Sequence, residues 1–374
     1  MGQLTRETQV FVMGGGPAGL AAALAARQVG LDVVVADCSC PPIDKACGEG
    51  VMPDGLSALE QLGVRLDRSQ GTPFKGIRFM NGDQEVAATF NHGTGLGVRR
   101  TCLHQAMVDA ATRAGVRLLW NSRVTAMADS RVTVNGESIQ CRWIVGADGQ
   151  NSRARRLAGL DSTGEAKVRI GLRQHYRVHP WSEFVEVHWS HFGQMYVTPI
   201  GSDAVCVAFI SGKRVSRFED ALRHFPRLAR RLENAVPEDL ARGAITATRN
   251  LTKVYRGCFA LIGDAAGSVD AVTGEGLAIA FQQATALATA LTSDDLAGYE
   301  MSVKRIMRVP RVMAALMLRM DGHPVFRRRA FAALEATPGI FERMLAIHTG
   351  AISPIGFGLR NGLSLGWNLL AAKG

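Results

Sequence analysis

Short apolar runs that end in a glycine or an aspartate recur along the chain and predict buried parallel strands. The first run, residues 10–13, ends in a glycine-rich turn at 14–19, and a helix-forming stretch at 20–29 follows at once. A second apolar run at 31–36 ends at Asp37. Strand, tight turn and helix in this order are typical of α/β folds, in which helices connect parallel strands.

The pattern changes twice further along the chain. Between residues 168 and 210, strand-like pieces alternate with turns and predict a mostly antiparallel insert, which a strand at 244–249 closes. Residues 218–236 predict one helix, 276–291 a strongly apolar helix, and the chain from 295 onward several helices with Gly/Pro breaks. Shorter patterns predict strands at 117–120, 131–134, 142–145 and 259–262, and a helix at 103–114.

The glycine-rich turn has the spacing of a dinucleotide-binding fingerprint. Gly14 permits the tight turn, Gly16 lets the backbone approach a pyrophosphate, and Gly19 lets the helix pack closely on the strand. Pro17 and Ala18 belong to this turn, and the amides and dipole at the start of the helix that follows favour a phosphate. The aspartate at the end of the second apolar run, about 20 residues on, is placed to hold a ribose.

Composition excludes several classes of protein. With 47% apolar and 20% charged residues, the chain is typical of a globular protein. Seven cysteines without a Cys-x-x-Cys pair indicate reduced thiols, and no signal-like or membrane-spanning stretch is present, so a cytoplasmic location is expected. His175 and His179 lie four residues apart in strand-like sequence, where helical ligand spacing does not apply, and we predict no metal.

The formal net charge of +10 is concentrated near the C-terminus. Residues 301–374 hold eleven Lys and Arg residues against three Asp and Glu residues. A solvated helix face is the favoured interpretation. The alternative is peripheral contact with membrane head groups or an acidic carrier protein. Few aromatic residues interleave with the basic ones, so no nucleic acid partner is expected, and the oligomeric state stays open.

Two later motifs join the glycine-rich turn. Gly146-Ala147-Asp148-Gly149 follows an apolar strand, and Gly263-Asp264 precedes Gly274-Glu275-Gly276 at the start of a helix. In order and spacing, the set resembles the FAD-dependent flavoprotein superfamily that contains aromatic-ring hydroxylases, flavin halogenases and geranylgeranyl reductases. The resemblance covers roughly residues 8–290.

The resemblance implies specific roles at the cofactor. Asp264 would accept hydrogen bonds from the ribityl chain, and Arg100 would reach the FAD phosphates, although the adjacent Arg99 could take its place. The turn at 274–276 would place helix amides near the flavin pyrimidine edge, where negative charge develops on reduction. The implied cofactor-binding residues are Gly14, Gly16, Pro17, Ala18, Gly19, Asp37, Cys47, Gly48, Arg100, Val124, Asp148, Gly263, Asp264, Gly274, Glu275 and Gly276.

Two segments point to different branches of the superfamily. The pair Cys47-Gly48 resembles the geranylgeranyl reductases, and it would place the Cys47 thiol near the reacting face of the flavin. Those reductases carry a Tyr-x-Trp-x-Phe-Pro stretch in their lipid cavity, whereas this chain has Tyr196 for the Trp and Thr198 for the Phe. We take Cys47 and Tyr196 as the candidate catalytic residues. Halogenases are disfavoured because the sequence lacks a Trp-x-Trp-x-Ile-Pro segment.

These observations predict an α/β protein with a three-layer Rossmann-like FAD-binding domain, interrupted by an antiparallel β-sheet substrate lobe and followed by a helical C-terminal region. The predicted divisions are 1–70, 95–165 and 251–292 for the FAD-binding domain, 71–94 and 166–250 for the substrate lobe, and 293–374 for the helical region.

The predicted function is that of an FAD-dependent oxidoreductase, with NAD(P)H as a transient reductant. The first choice is hydroxylation of a hydrophobic aromatic or polyketide-like small molecule through a flavin C4a-peroxide. The alternatives are reduction of C=C bonds in a prenyl or lipid chain, and a non-catalytic FAD-binding protein.

Overall fold

A computed structural model of the chain describes residues 7–161 and 167–353, apart from the side chains of Arg68 and Lys167. The strands in chain order are β1 (Glu7–Met13), β2 (Val33–Ala36), β3 (Gly50–Val51), β4 (Gly71–Phe74), β5 (Gly76–Asn81), β6 (Gln84–Thr89), β7 (Gly95–Val98), β8 (Arg117–Leu119), β9 (Val124–Ala128), β10 (Arg131–Val134), β11 (Glu137–Gly146), β12 (Lys167–Arg177), β13 (Val185–Trp189), β14 (Gln194–Pro199), β15 (Ala204–Ser211), β16 (Val236–Pro237), β17 (Arg242–Thr248), β18 (Tyr255–Arg256) and β19 (Phe259–Leu261). The helices are α1 (Pro17–Gln28), α2 (Pro53–Gln61), α3 (Arg100–Arg113), α4 (Arg153–Leu157), α5 (Phe218–Leu222), α6 (Pro226–Leu232), α7 (Gly276–Ser293), α8 (Leu296–Ile306), α9 (Arg308–Gly322), α10 (Pro324–Ala336) and α11 (Pro338–His348).

A parallel sheet forms the centre of the N-terminal fold. Its strand order is β18-β19-β11-β1-β2-β8, with β19, β11, β1, β2 and β8 parallel and β18 antiparallel at the edge. Val10, Phe11 and Val12 of β1 are buried because the strand lies between two neighbours and beneath α1, which in turn packs on α7. The predicted α/β fold is confirmed, and the carboxyl ends of β1, β11 and β19 bring the three motifs to one edge of the sheet.

The second sheet carries the predicted insert. Its order is β16-β12-β15-β14-β13-β5-β6, with β17 also on β12, and its pairs are antiparallel except for β13 with β5. The strand β4 joins β7 and β3 in a small third sheet instead. The division of the chain into domains stays a prediction.

The single helix predicted for residues 218–236 is wrong. The structure has α5 and α6 there, separated by a turn that ends at Phe225 with φ −129° and ψ 68°, and then β16. The break lies at Pro226, because the proline ring excludes the helical conformation at the preceding residue.

The C-terminal helices cover the second sheet. An aromatic cluster of Phe79, Trp189, Phe331 and Phe341 joins β5 and β13 to α10 and α11, with Phe79 and Phe341 ring centres 4.9 Å apart. The Gly/Pro breaks at Gly322 and Pro338 separate the helices as expected. Arg360 and Lys373 of the basic region lie outside the described residues. Of the helices in the described part of the chain, none combines the length and apolar character needed to cross a bilayer.

We predict that Gly19→Ala destabilises the protein strongly. A Cβ at this position would lie 1.8 Å from the carbonyl oxygen of Gly14. Alanine gains about 1 kcal/mol of helix propensity over glycine, but neither backbone can move away without disturbing β1 or α1, so the free energy of unfolding should fall by about 3 kcal/mol or more. Urea denaturation measures it. Gly212→Ala, where no described atom lies within 4 Å of the added methyl, is the matched control, and equal stability of the two variants would contradict the prediction.

Candidate FAD-binding site

The first turn offers an open approach to its backbone. Gly14 has φ 115°, a left-handed conformation that favours glycine. Gly16 is the N-cap of α1 with φ −72° and ψ 179°, and no described atom lies within 4 Å of the position where its Cβ would stand. The turn therefore leaves room for a ligand directly at the start of α1, where the helix dipole favours an anion.

Two polar side chains, those of Asp37 and His104, hydrogen-bond to the backbone of Gly15 in the first turn. The Gly15 amide donates to Asp37 Oδ2 at 2.7 Å, and His104 Nε2 donates to the Gly15 carbonyl at 2.8 Å. His104 is fully buried on α3, and burial lowers its pKa, so the ring is neutral and its Nδ1 accepts from the Ile43 amide at 3.3 Å. Sequence reasoning missed His104. Its signal was a single histidine on the apolar face of a helix.

The two adjacent arginines at the start of α3 have different surroundings. Arg99 pairs with Glu238 beside the second sheet. The Arg100 Nε is buried and has no hydrogen-bond partner among the described residues, while the Arg100 backbone amide donates to Glu49 Oε1 at 2.9 Å. Of the two candidates, Arg100 is therefore the one with unused hydrogen-bonding capacity for a phosphate.

The third motif packs directly onto the first. A Cβ on Gly263 would lie 2.7 Å from that of Ala18, and the Gly263 amide donates to Gln283 Oε1 at 2.8 Å. The neighbouring Asp264 side chain is exposed, yet the protein mass around it raises the pKa of its carboxyl, against the opposing charges of Lys45 and Arg100. Asp264 is therefore open to solvent but surrounded by protein, as expected for a carboxyl at a ligand-binding surface.

The second motif uses its aspartate to begin a helix. Asp148 accepts from the amides of Arg153 at 2.6 Å and Ala154 at 3.0 Å, so a cofactor contact from this residue would come from its backbone. Arg155, 1% exposed, donates to the carbonyls of Gln150 and Ala265 and so ties the second motif to the third. Sequence reasoning missed Arg155, which had no distinguishing signal. Val124 is buried at the start of β9.

Of the two candidate catalytic residues, Cys47 lies in the loop before β3 and Tyr196 lies on β14, whose side chains hydrogen-bond to the backbone at Gly48 and Val272. The Thr198 hydroxyl donates to the Gly48 carbonyl at 2.7 Å, and the Tyr196 hydroxyl donates to the Val272 carbonyl at 2.7 Å. Burial raises the pKa of Tyr196, so its proton stays on the oxygen. Cys47 is half-buried, its Sγ accepts from the Glu49 amide at 3.4 Å, and a Cβ on Gly48 would meet no described atom within 4 Å.

A buried ionic network lies behind the turn of Cys47 and Gly48. Glu49 Oε2 contacts His175 Nε2 at 2.7 Å, and Asp239 Oδ2 contacts His175 Nδ1 at 2.8 Å and Arg173 at 2.7 Å. Glu49, His175 and Cys206 lie close enough to share a metal ion. The buried Arg173 guanidinium, 2.9 Å from His175 Nδ1, already supplies positive charge there, and burial raises the pKa of Cys206 well above its usual range. The arrangement therefore fits an ionic network better than a cation site.

Comparison with known proteins agrees with this geometry. Residues 7–294 match the family model described as an FAD binding domain. A menaquinone reductase of Mycolicibacterium smegmatis is 25% identical over 79% of both chains, and a digeranylgeranylglycerophospholipid reductase of Methanopyrus kandleri is 28% identical over 72% of this chain and 73% of its own. A flavin-dependent brominase of 17% identity superimposes with a TM-score of 0.82 over 96% of this chain and 98% of its own, which shows a shared fold.

The chain belongs to the FAD-binding domain family, and it is an FAD-dependent oxidoreductase. The predicted resemblance and the predicted class of enzyme are confirmed. FAD is the cofactor, and NAD(P)H is the reductant typical of such families. The residues present fit FAD: the first turn is open at Gly16, Arg100 Nε lacks a partner among the described residues, and Asp264 offers an accessible carboxyl.

We predict that Gly16→Val folds but does not retain FAD. Valine tolerates the extended dihedrals of Gly16 and its side chain enters open space, so the apoprotein should keep its stability. The same side chain would occupy the position of the diphosphate, and FAD should bind about tenfold more weakly or worse. The ratio of the visible flavin absorbance to the protein absorbance reports how much of the purified protein carries FAD. Gly212→Val, also in open space, is the control, and full occupancy in Gly16→Val would place the diphosphate elsewhere.

Proposed function

We propose that the protein is an NAD(P)H-driven monooxygenase that hydroxylates a hydrophobic aromatic or polyketide-like small molecule. The proposal rests on two side chains of β14 and on their hydrogen bonds. Tyr196 and Thr198 stand where the lipid-reducing branch carries Trp and Phe, and their hydroxyls are bonded to the backbone of Val272 and Gly48. These bonds fix a short polar rim beside the turns, where lipid reductases have larger apolar rings.

The apolar surroundings of that rim support a hydrophobic substrate. Tyr196 packs against both the core of the parallel sheet and the aromatic cluster of Phe79, Trp189, Phe331 and Phe341. Phe79 is half-buried and the other three rings are buried, so they form an apolar wall beside Tyr196 that favours a hydrophobic substrate over a polar one. Arg100 and Asp264 would hold the FAD phosphates and ribityl chain, and the bound cofactor would supply the redox chemistry. Tyr196 would orient the substrate through the lone pair that its own hydrogen bond leaves free.

A C=C reductase is the second candidate, and the pair Cys47-Gly48 favours it. Two relatives reduce, by their names, menaquinone and a digeranylgeranylglycerophospholipid. In this reaction the alkene takes up a hydride and a proton, and the half-buried Cys47 thiol beside Gly48 would give the proton and recover one from solvent.

We predict that NAD(P)H oxidation with ¹⁸O₂ yields a product that carries one ¹⁸O atom, the other leaving as water. Mass spectrometry of reactions with alkylated phenols, with a prenylated quinone as the comparison substrate, distinguishes the candidates. Anaerobic formation of a product heavier by two hydrogens would overturn hydroxylation and support reduction. If neither NADH nor NADPH reduced the bound flavin with any of these compounds, the non-catalytic alternative would gain support.

We also propose that helices α8 and α9 touch an anionic membrane surface. Met301 is 65% exposed and Val312 63% exposed, and the exposed side chains of Arg305, Arg308 and Arg319 lie along the same two helices. Exposed apolar residues among basic ones suit the interface of anionic lipids better than the surface of an acidic protein.

The expected result is cosedimentation with phosphatidylglycerol vesicles, weak binding to phosphatidylcholine vesicles, and release by salt, because basic residues contribute electrostatically. Val312→Asp should weaken this binding. Leu240→Asp, at a 90% exposed site remote in sequence, serves as the control. Equal binding of the two variants would contradict membrane contact through α9, and binding to an acidic carrier protein without vesicle binding would favour a protein partner.

A further inference from the structure

The cofactor turn before α7 contains a buried acid. Glu275 is 4% exposed, and its Oε2 has no hydrogen-bond partner among the described residues. Its Oε1 lies 3.4 Å from Nδ1 of His348, which comes from the end of α11 in the C-terminal region. A cofactor turn and a distant helix therefore meet through one pair of titratable side chains.

The geometry fixes where the protons of this pair lie. His348 Nε2 is 3.3 Å from the Thr273 carbonyl oxygen, which only accepts, so Nε2 carries a hydrogen. Burial lowers the pKa of His348 to about 4, and the neutral ring then has a lone pair on Nδ1. A hydrogen bond from Glu275 to this lone pair requires a protonated carboxyl, since a carboxylate only accepts.

The charges around Glu275 favour the same state. Burial, and then the charge of Asp54 on α2, raises the pKa of Glu275 to about 9, against the opposing effect of the Thr273 hydroxyl. Asp54 Oδ1 is itself buried without a partner among the described residues, and burial raises the pKa of Asp54 to about 6. Asp54 and His348 are the titratable groups that face Glu275, and neither offers a positive charge at neutral pH.

We propose that Glu275 acts as a neutral acid that holds the cofactor turn against α11 and keeps negative charge away from the flavin. The inference rests on the proposed placement of the flavin pyrimidine edge at Gly274–Gly276. Reduction places negative charge at that edge, and an ionised Glu275 would oppose it. Glu275 and His348 are thus positioning residues, through which the C-terminal helices help to set how readily the bound flavin accepts electrons.

The test is the midpoint potential of the bound flavin, measured against reference dyes without substrate between about pH 6 and 10. Wild type and Glu275→Gln should agree below about pH 8. Above the pKa of about 9, only wild type gains a charge at residue 275. Its preference for the reduced flavin should fall at least about tenfold below that of the variant, which is about 30 mV for a two-electron couple. Glu342→Gln, at an exposed acid on α11, the helix that carries His348, should follow wild type throughout.

Three outcomes would overturn the proposal. A higher potential for Glu275→Gln at pH 7 would mean that Glu275 is already ionised there. If the midpoint potentials of wild type and Glu275→Gln changed in parallel up to pH 10, the charge of Glu275 would have no effect on the flavin. His348→Leu, which removes the acceptor for the Glu275 proton, should weaken FAD binding, and unchanged binding would refute the link to α11. Because no substrate is present, an error in the proposed reaction would leave these results unaffected, whereas protein that binds no FAD would refute the placement itself.

Discussion

The close approach of Gly19 to the Gly14 carbonyl determines how the rest of the site is assembled. With no Cβ between them, α1 begins directly at the end of β1, and its first turn lies within reach of the third motif at Gly263. The parallel order of β1, β11 and β19 then brings all three motif loops to one edge of the sheet. Packing of backbone on backbone thus brings the three motif loops together, in the arrangement that dinucleotide-binding folds use.

Much of this arrangement was predictable from the sequence because the signals are local. Apolar runs that end in Gly14, Gly146 and Gly263 predict strands followed by turns, and the spacing of the glycines follows from the needs of a diphosphate. The contacts of His104 with Gly15, and of Arg155 with Ala265, were not predictable, since each joins residues far apart in the sequence. The break at Pro226 did have a local signal, and proline should have outweighed the helical periodicity.

The turn of Cys47 and Gly48 depends on an ionic network whose members come from four separate segments. Glu49 has φ 58°, a conformation that costs about 1–3 kcal/mol for a residue other than glycine. It places the carboxylate between the Arg100 amide and His175, and His175 in turn contacts Asp239. Because buried charges are costly unless they are paired, the network favours one position of the turn relative to the second sheet over all others.

The turns at 47–48 and 274–276 are therefore held by different interactions. On the side of Cys47, buried charges hold the turn, and removing one partner would leave its counterpart unpaired in a medium of low dielectric constant. At the turn 274–276, Glu275 Oε1 and His348 Nδ1 lie 3.4 Å apart, and burial favours the neutral state of each side chain. A flavin that gains negative charge on reduction is best stabilised where fixed amide dipoles face it and no carboxylate is ionised. The difference between the two turns agrees with this requirement: charge suits the turn at 47–48, and neutrality suits the turn at 274–276, where we propose that the flavin edge gains negative charge on reduction.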